Sequence, residues 1–256
     1  TTKLTVTAKD GKGGSLKVSF NVLVNRAPEL QSTIADRQAT VGKDSPQVNL
    51  TGLFADPDQD TFTLTAKPND EGIATVSITG EILTITPVSG GTATITVTAT
   101  DENKGVSTTQ FNIVVNEPPT AGHIPEQAVQ LGGADKTVDL MDFFTDADGD
   151  ALTFTIDEQQ SSIAQATLTG TELTVHPVSA GTSTVTVTAD DTRGGTVSKT
   201  IDLRVNRAPA VKDGLADQTV TIGAGVHSVS LDGKFEDPDG DALTYTAVIQ
   251  DSGLAA

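Results

Sequence analysis

The chain has 256 residues, of which 34 are acidic and 16 basic, and its formal net charge is −18. This acidity disfavours nucleic acid and anionic membranes as partners, because both need clustered basic side chains. The absence of cysteine excludes disulfides and thiolate zinc sites. No run approaches the roughly 18 apolar residues of a membrane span, so we expect no membrane insertion in this segment and regard cations as the natural partners.

Internal repetition divides the chain, with a period of 90 or 91 residues. TVTAKD, TVTATD and TVTADD end at Asp10, Asp101 and Asp191, and each precedes a linker, VNRAP or VNEPP. The predicted segments are the C-terminal strands of a partial repeat at 1–25, complete repeats at 26–116 and 117–206, and the N-terminal strands of a partial repeat at 207–256. We expect an excerpt of a longer array. Alternatively, terminal pieces of neighbouring chains complement each other by strand addition and form a head-to-tail filament.

Period-two alternation in the first complete repeat predicts seven strands, at 38–41, 47–54, 61–66, 74–78, 82–86, 93–100 and 106–115. The third strand has inward side chains at Phe62, Leu64 and Ala66. The core face of the sixth strand consists of Ala93, Ile95, Val97 and Ala99, and its threonines face solvent. Helices should be nearly absent. Seven short antiparallel strands in about 90 residues predict a Greek-key β-sandwich of immunoglobulin-like or cadherin-like type, and the second repeat follows the same plan.

Three aspartates at alternate positions recur in FADPDQDTFTL, FTDADGDALTF and FEDPDGDALTY. Two carboxylates about 4 Å apart repel by about 4 kcal/mol at an effective dielectric near 20, so the repulsion must be offset. In this topology the loop between strands two and three and the loop between strands six and seven lie at one pole. Asp101 should lie near the first triplet, and Asp190 and Asp191 near the second. Asn25 or Asn116 of the incoming linker arrives at the same pole.

Carboxylates with an amide or backbone carbonyl form the oxygen-only shell that Ca²⁺ prefers, and a bound ion would remove the repulsion. The candidate ligands are Asn25, Asp56, Asp58, Asp60, Asp101, Asn116, Asp146, Asp148, Asp150, Asp191, Asn206, Asp237, Asp239 and Asp241. The alternative is that the motif is only a tight turn, because Asp, Pro and Gly are common turn residues. An EF-hand is excluded, because that loop needs Glu at position twelve and the three copies have Lys67, Asp157 and Val248 there.

Three motifs carry a resemblance to cadherin repeats. FTDADGDALTF resembles their DAD-containing stretch, VTATDENKG resembles their A-x-D segment, and VNRAP occupies the place of their acidic DxNDN linker. The whole chain is similar to the cadherin-like, dystroglycan-type and immunoglobulin-like repeats of large bacterial surface adhesins. The resemblance implies that calcium bridges and stiffens successive repeats, with roles for Asn25, Asp56, Asp58, Asp101, Asn116, Asp146, Asp148 and Asp191.

Two departures from that family lower the expected number of ions. The linker has lost its aspartates, because Asn116 precedes Glu117 and Asn25 precedes Arg26. The Glu-bearing motif after the fifth strand is replaced by TPVSGG and HPVSAG. The remaining ligands support zero to one ion per junction, in the weak range of extracellular modules, about 10⁻⁴ to 10⁻³ M.

Catalysis and sugar binding have less support in the sequence. His123, His176 and His227 do not recur at equivalent positions, and an acid pair copied into every repeat would be unusual for a glycosidase. Carbohydrate binding remains an alternative, but the chain has no Trp and a single tyrosine, Tyr245, inside a predicted core alternation. We expect a non-enzymatic extracellular stalk of a cell-surface adhesin, stiffened by Ca²⁺, that serves cell adhesion or attachment to a biofilm matrix.

Overall fold

A computed structural model describes residues 1–158 and 161–248. This part of the chain is all-β, and its only helical segment is a 3₁₀ turn at Leu140–Asp142, which confirms the predicted fold class. The chain divides into two compact units. The first comprises Thr1–Pro118, Asp146–Ala151 and Asp191–Gly195, and the second comprises the described parts of Pro119–Thr145, Leu152–Asp190 and Thr196–Ala256.

The strands of the first unit form two main sheets and two small ones. The bounds are β1 Thr2–Lys9, β2 Ser15–Val22, β3 Glu29–Leu30, β4 Arg37–Thr40, β5 Gln47–Asn49, β6 Phe54–Ala55, β7 Phe62–Pro68, β8 Ala74–Thr79, β9 Ile82–Pro87, β10 Gly91–Asp101 and β11 Val106–Asn116. The larger sheet has the order β4-β11-β10-β7, and the smaller one has the order β5-β9-β8. β1 pairs with β2, and β3 pairs with β6.

One apolar core joins the two main sheets of the first unit. Leu83 and Ile85 from the smaller sheet share a cluster with Ile95 and Ile113 from the larger one, and all four are fully buried. The whole predicted face of β10 is fully buried, at Ala93, Ile95, Val97 and Ala99. The predicted inward side chains of β7 are partly buried against the same cluster, at Phe62, Leu64 and Ala66. These contacts make the first complete repeat a β-sandwich.

The second unit repeats this architecture. The bounds are β12 Thr120–Ala121, β13 Gln127–Gln130, β14 Lys136–Asp139, β15 Phe144–Thr145, β16 Thr153–Glu158, β17 Ala164–Thr169, β18 Glu172–Pro177, β19 Gly181–Asp190, β20 Thr196–Asn206, β21 Ala210–Val211 and β22 Phe235–Glu236. The main sheets have the orders β13-β20-β19-β16 and β14-β18-β17. Phe144, Leu173, Val187 and Ile201 are fully buried in the core between them.

Two features of the strands differ from the sequence prediction. The strand predicted at 47–54 is interrupted after Asn49, because the chain turns at Leu50–Leu53, where the Leu53 N–H donates to the Leu50 carbonyl (3.0 Å). β4 and β13 also run parallel to the last strands of their repeats, β11 and β20, so the expectation of antiparallel pairing throughout is wrong. Period-two alternation identifies the buried face of a strand, but it carries no information about which neighbour the strand pairs with.

The terminal segments are less complete than the two sandwiches. β1 and β2 form a ribbon with one apolar face, where Leu4 pairs with Phe20 and Val6 with Val18, and all four side chains are about half exposed. Residues 207–248 contain only β21 and β22, and the rest of the predicted partial repeat, 249–256, lies outside the described residues. Tyr245 is 51% exposed, so its predicted core position is wrong.

Candidate cation site

An aspartate organises the loop between the last two strands of each repeat; Asp101 and Asp191 are buried, whereas Asp10 is exposed. The Asp101 carboxylate accepts hydrogen bonds from the backbone N–H groups of Asn103 and Gly105, both at 2.8 Å. Asp191 and Asp10 accept the equivalent pairs of bonds in their own loops. A Cβ at Gly105 would lie 2.4 Å from Asp101 Oδ2, so the closed loop requires glycine there.

The linker asparagine is tied to this buried aspartate in both complete repeats. Asn25 Nδ2 donates to Asp101 Oδ2, and Asn116 Nδ2 donates to Asp191 Oδ2, each at 2.7 Å. The hydrogen bond from Asn25 holds the pKa of Asp101 below its ordinary value. Burial raises the pKa of Asp191, but the bonds from Asn116 and two backbone N–H groups outweigh it, and the net pKa is also lowered. Both carboxylates are therefore held ionised.

We call the three sites at which a linker meets an aspartate triplet the first, middle and third poles. The first pole consists of Asn25, Arg26, Asp56, Asp58, Asp60 and Asp101. The middle pole consists of Asn116, Glu117, Asp146, Asp148, Asp150 and Asp191, and the third consists of Asn206, Arg207, Asp237, Asp239 and Asp241. The first and middle poles lie within the first unit, and the third lies within the second unit.

The first aspartate of each triplet shapes its own loop. Asp146 Oδ1 accepts from the backbone N–H groups of Asp148 (2.9 Å) and Asp150 (3.1 Å). Asp56 and Asp237 accept the same two bonds in their copies. The turn interpretation therefore accounts for one oxygen of this residue. The other oxygen, Oδ2, is buried without a hydrogen-bond partner at Asp56 and Asp146.

The second aspartate binds the linker backbone in the same way at all three poles. The N–H of Arg26 donates to Asp58 at 2.7 Å, and the N–H of Glu117 donates to Asp148 at 2.6 Å. The third copy repeats this bond between Arg207 and Asp239 at 2.6 Å. The backbone of the residue after the linker asparagine is thus held next to the triplet, whether that residue is arginine or glutamate.

The side chain at that linker position differs between the poles. Arg26 directs its guanidinium onto Asp58 Oδ1, with Nη2 at 2.8 Å and Nε at 3.2 Å. This contact lowers the pKa of Asp58 and raises that of Arg26. Arg207 contacts Asp239 equivalently, with Nε and Nη2 both 2.9 Å from Oδ1. The backbone N–H of Arg207, followed by its side chain, lowers the pKa of Asp239.

The middle pole has an acidic side chain at this position. The Glu117 carboxylate accepts from the Gly90 N–H at 3.3 Å, and Asp148 receives only the backbone N–H of Glu117 among the described contacts. A guanidinium does approach the third aspartate, because Arg193 Nε lies 2.9 Å from Asp150 Oδ1. The middle pole is therefore the most acidic of the three.

The third aspartate has a different partner at each pole. At the first pole, Asn103 Nδ2 donates to Asp60 at 2.8 Å. At the middle pole, Arg193 contacts Asp150 instead. At the third pole, Arg204 donates to both oxygens of Asp241, at 2.7 and 2.8 Å.

The middle pole has the geometry of an oxygen-liganded cation site. One carboxylate oxygen from each of Asp146, Asp148 and Asp150 lies within 4.8 Å of the others, and no other such group of three occurs among the described residues. Two oxygens on one Ca²⁺ at about 2.3–2.6 Å are at most about 5 Å apart, so this spacing fits a shared ion. Asp146 Oδ2, Asp150 Oδ2 and Asn116 Oδ1 are buried without hydrogen-bond partners, and Asn116 is only 7% exposed. These residues fit calcium.

The structure thus brings the predicted residues together at three poles, and their role as metal ligands stays a prediction. Asp190 is part of β19, where it pairs with Thr153 and Thr196, and Asp191 alone forms the buried loop centre. The sequence reasoning missed Arg26, Arg193, Arg204 and Arg207 as partners of the triplets. The alternation VNRAP, VNEPP, VNRAP was the available signal for two of them.

Two sandwiches with this strand order and repeated pole define a protein built from tandem immunoglobulin-like repeats. A family profile described as "Bacterial Ig domain" matches residues 25–114 and 116–204. The chain belongs to the bacterial Ig domain family.

Its curated relatives include the "Serine-rich adhesin for platelets" of Staphylococcus aureus. Identity to the protein of strain MSSA476 is 28% over 205 residues, which are 78% of this chain and 8% of the adhesin. For strain MRSA252 the identity is 28% over 198 residues, or 75% of this chain and 14% of the adhesin. The chain therefore spans only a small part of the length of these relatives.

Solved structures resemble the chain at low identity. Human protocadherin-24 has a TM-score of 0.42 at 13% identity and covers 72% of this chain and 100% of its own. An endo-fucoidan hydrolase from glycoside hydrolase family 107 has a TM-score of 0.33 at 18% identity, over 81% of this chain and 34% of its own. These likenesses concern the fold alone. Across the described residues, no helix has the length and apolar character needed to cross a bilayer.

Proposed function

We propose that this chain is part of the non-enzymatic, extracellular repeat stalk of a bacterial surface adhesin, and that Ca²⁺ stiffens it at a pole. Membership of the bacterial Ig domain family and similarity to a staphylococcal adhesin support the stalk. The stalk would hold a binding region away from the cell for adhesion or attachment to a matrix. Neighbouring repeats of the same chain are its structural partners.

The observation that carries the calcium part is the set of unsatisfied buried oxygens at the middle pole. Asp146 Oδ2, Asp150 Oδ2 and Asn116 Oδ1 have lost water without gaining a donor, and such burial is costly unless a cation or donor compensates. Ca²⁺ bound there would contact the linker asparagine and the triplet loop together. The ion would therefore restrict the movement of the linker.

Calorimetric unfolding of the whole chain tests this proposal, with millimolar CaCl₂ compared with EDTA. A ligand that binds only the folded state must raise the melting temperature. The site variant combines Asp146→Asn, Asp148→Asn and Asp150→Asn, because asparagine keeps an acceptor for the loop hydrogen bonds but removes the charge. The control combines Asp142→Asn, Glu172→Gln and Asp202→Asn, three exposed positions of the same repeat.

We expect calcium to raise the melting temperature of the wild type and of the control but not of the site variant. An equal response in all three chains would contradict specific binding at the triplet. Absence of any calcium response would leave the aspartates as turn residues and reduce the proposal to a stalk held by packing alone.

A filament subunit is the second candidate, and the exposed apolar face of β1 and β2 favours it. Leu16, Val18 and Phe20 are 66%, 57% and 50% exposed, and a partial repeat of another chain that adds strands to this ribbon could complete a sandwich over such a face. Sedimentation velocity over a range of protein concentrations separates the two candidates. A filament subunit grows in size with concentration, whereas a stalk fragment sediments as a monomer throughout.

A further inference from the structure

We propose that the residue after the linker asparagine decides how each triplet is neutralised, so that Arg26 and Arg207 replace the cation at the first and third poles and only the middle pole takes Ca²⁺. This inference rests on the proposed function, because it concerns where the calcium binds. It predicts one ion where the repeated triplets alone would suggest three.

The backbone hydrogen bonds of the linker and of the triplet loop are the same at the three poles, so the linker side chain is the difference next to the second aspartate. The linker N–H donates to the second aspartate at 2.7, 2.6 and 2.6 Å, and the first aspartate accepts the same two loop N–H groups each time. Arginine at the linker position is therefore placed next to the second aspartate by the backbone itself.

At the first and third poles this arginine forms an ion pair with the second aspartate of the triplet. Its guanidinium contacts Oδ1 of Asp58 or Asp239 through two nitrogens and also donates to the carbonyl of the intervening proline, Pro57 or Pro238. The guanidinium carries a fixed positive charge, and its two nitrogens share Oδ1 while the backbone N–H takes Oδ2. An incoming cation would have to displace it.

At the middle pole the same position is Glu117, which adds negative charge where the other poles add positive charge. Among the described residues, the middle pole has three buried oxygens without a hydrogen-bond partner. The first pole has one, Asp56 Oδ2, and the third pole has one, Asn206 Oδ1. Arg193 pairs with Asp150 Oδ1 only, so Asp150 Oδ2 stays without a donor. The demand for an external cation is thus greatest at the middle pole.

Calcium titration of the ¹⁵N-labelled whole chain, followed by NMR, gives a readout for each pole. At the middle pole, we expect the amide resonances of 116–117, 146–151 and 191–195 to shift with a saturating profile. At the first pole (25–26 and 56–60) and the third pole (207 and 237–241), the amide resonances should stay unchanged. Glu117→Arg should abolish the shifts at the middle pole, and Arg26→Glu should create saturable shifts at the first. Two controls accompany these variants. Glu172→Arg makes the same charge change as Glu117→Arg but on β18, outside the pole, and Glu117→Gln removes the negative charge at the pole without adding a positive one.

The outcomes separate this inference from the proposed function. Saturable shifts at all three wild-type poles, or shifts at the middle pole that persist in Glu117→Arg, would overturn the arginine replacement while leaving calcium binding intact. Saturable shifts at no wild-type pole would overturn both the inference and the calcium part of the proposed function. Shifts confined to the middle pole that Glu117→Gln retains and Glu117→Arg loses would support both.

Discussion

Asp58, Asp148 and Asp239 occupy equivalent positions, and each accepts the backbone N–H of the linker residue that faces it. The repulsion within each triplet is thus partly offset by backbone donors, which the spacing of the aspartates alone does not reveal. Side-chain cations complete the compensation at the first and third poles. At the middle pole the compensation within the described residues is incomplete.

The residue between the second and third aspartates of the first triplet, Gln59, provides a test of backbone strain. Gln59 has φ of +64°, whereas the equivalent Gly149 and Gly240 have φ of +79° and +83°. A left-handed conformation costs a non-glycine residue about 1–2 kcal/mol. Glycine avoids this cost, but it loses more conformational entropy on folding, which lowers stability by about 0.5–1 kcal/mol. We expect Gln59→Gly to raise the free energy of unfolding by about 0.5–1 kcal/mol, measured by urea denaturation.

The reciprocal substitution is its control. Gly149→Gln should lower the free energy of unfolding by a similar amount, because the loop there has the same conformation. A gain at residue 59 without a loss at residue 149 would mean that strain is not the cause.

The Arg26–Asp58 pair predicts a specific pH dependence. The pKa of Asp58 in the folded chain lies below its ordinary value of 3.8, first because of the hydrogen bond from Arg26. A carboxyl whose folded pKa is lowered contributes stability above its unfolded pKa and loses that contribution as the pH falls through the folded pKa. Arg26→Gln should therefore lower the melting temperature at pH 6, and the difference from the wild type should shrink as the pH falls below 3.8.

Melting curves of both chains between pH 6 and pH 2 provide the check. A difference in melting temperature that is as large at pH 2 as at pH 6 would show that Arg26 stabilises by packing and not through the charge of Asp58.

How far the sequence determines the poles can be judged from individual residues. The period of the repeats and the topology of a sandwich were enough to place Asn25 and Asn116 beside the aspartate loops. The arginine partners were not predicted, because the direction of a long flexible side chain depends on local backbone geometry that periodicity does not encode. Arg193, for example, reaches Asp150 from a different loop.

At the scale of strands, alternation predicted faces well and neighbours poorly. The alternation in β10 identified every buried residue of that face between 93 and 99. The sequence did not predict the turn after β5, because the residues at its two ends, Leu50 and Leu53, are both apolar and buried. The apolar pattern therefore continues through the turn. Strand pairing depends on contacts distant in sequence, which explains why the parallel neighbour of β4 was not predicted.

The core contributions of β8 and β9 can be compared directly. Leu83 on β9 is fully buried, whereas Thr75 on β8 is exposed. Leu83→Ala should lower the free energy of unfolding by about 2–5 kcal/mol, through lost burial and the cavity left behind. Thr75→Ala should change it by less than about 0.5 kcal/mol. Chemical denaturation of both variants tests this, and equal small losses would contradict a shared core between the two sheets.

At the scale of the whole molecule, the net charge of −18 acts together with the specific site. Any salt screens the self-repulsion of so acidic a chain and favours the compact state. We expect CaCl₂ to raise the melting temperature more than NaCl of the same ionic strength. The excess should disappear in the chain with Asp146→Asn, Asp148→Asn and Asp150→Asn, while the response to NaCl remains. Equal effects of the two salts on the wild type would attribute the stabilisation to screening alone.

The parallel pairing of β4 with β11 and of β13 with β20 has a mechanical consequence when tension is applied along the chain. β4 lies beside β11, with Arg37 opposite Ile113 and Thr40 opposite Asn116, and β13 lies beside β20 in the same sense. Tension applied to the two ends of a repeat pulls two parallel neighbours along their length in opposite directions. All the hydrogen bonds between them are then loaded at once, in shear, and cannot open one after another. Each sandwich is therefore built to resist extension along the chain.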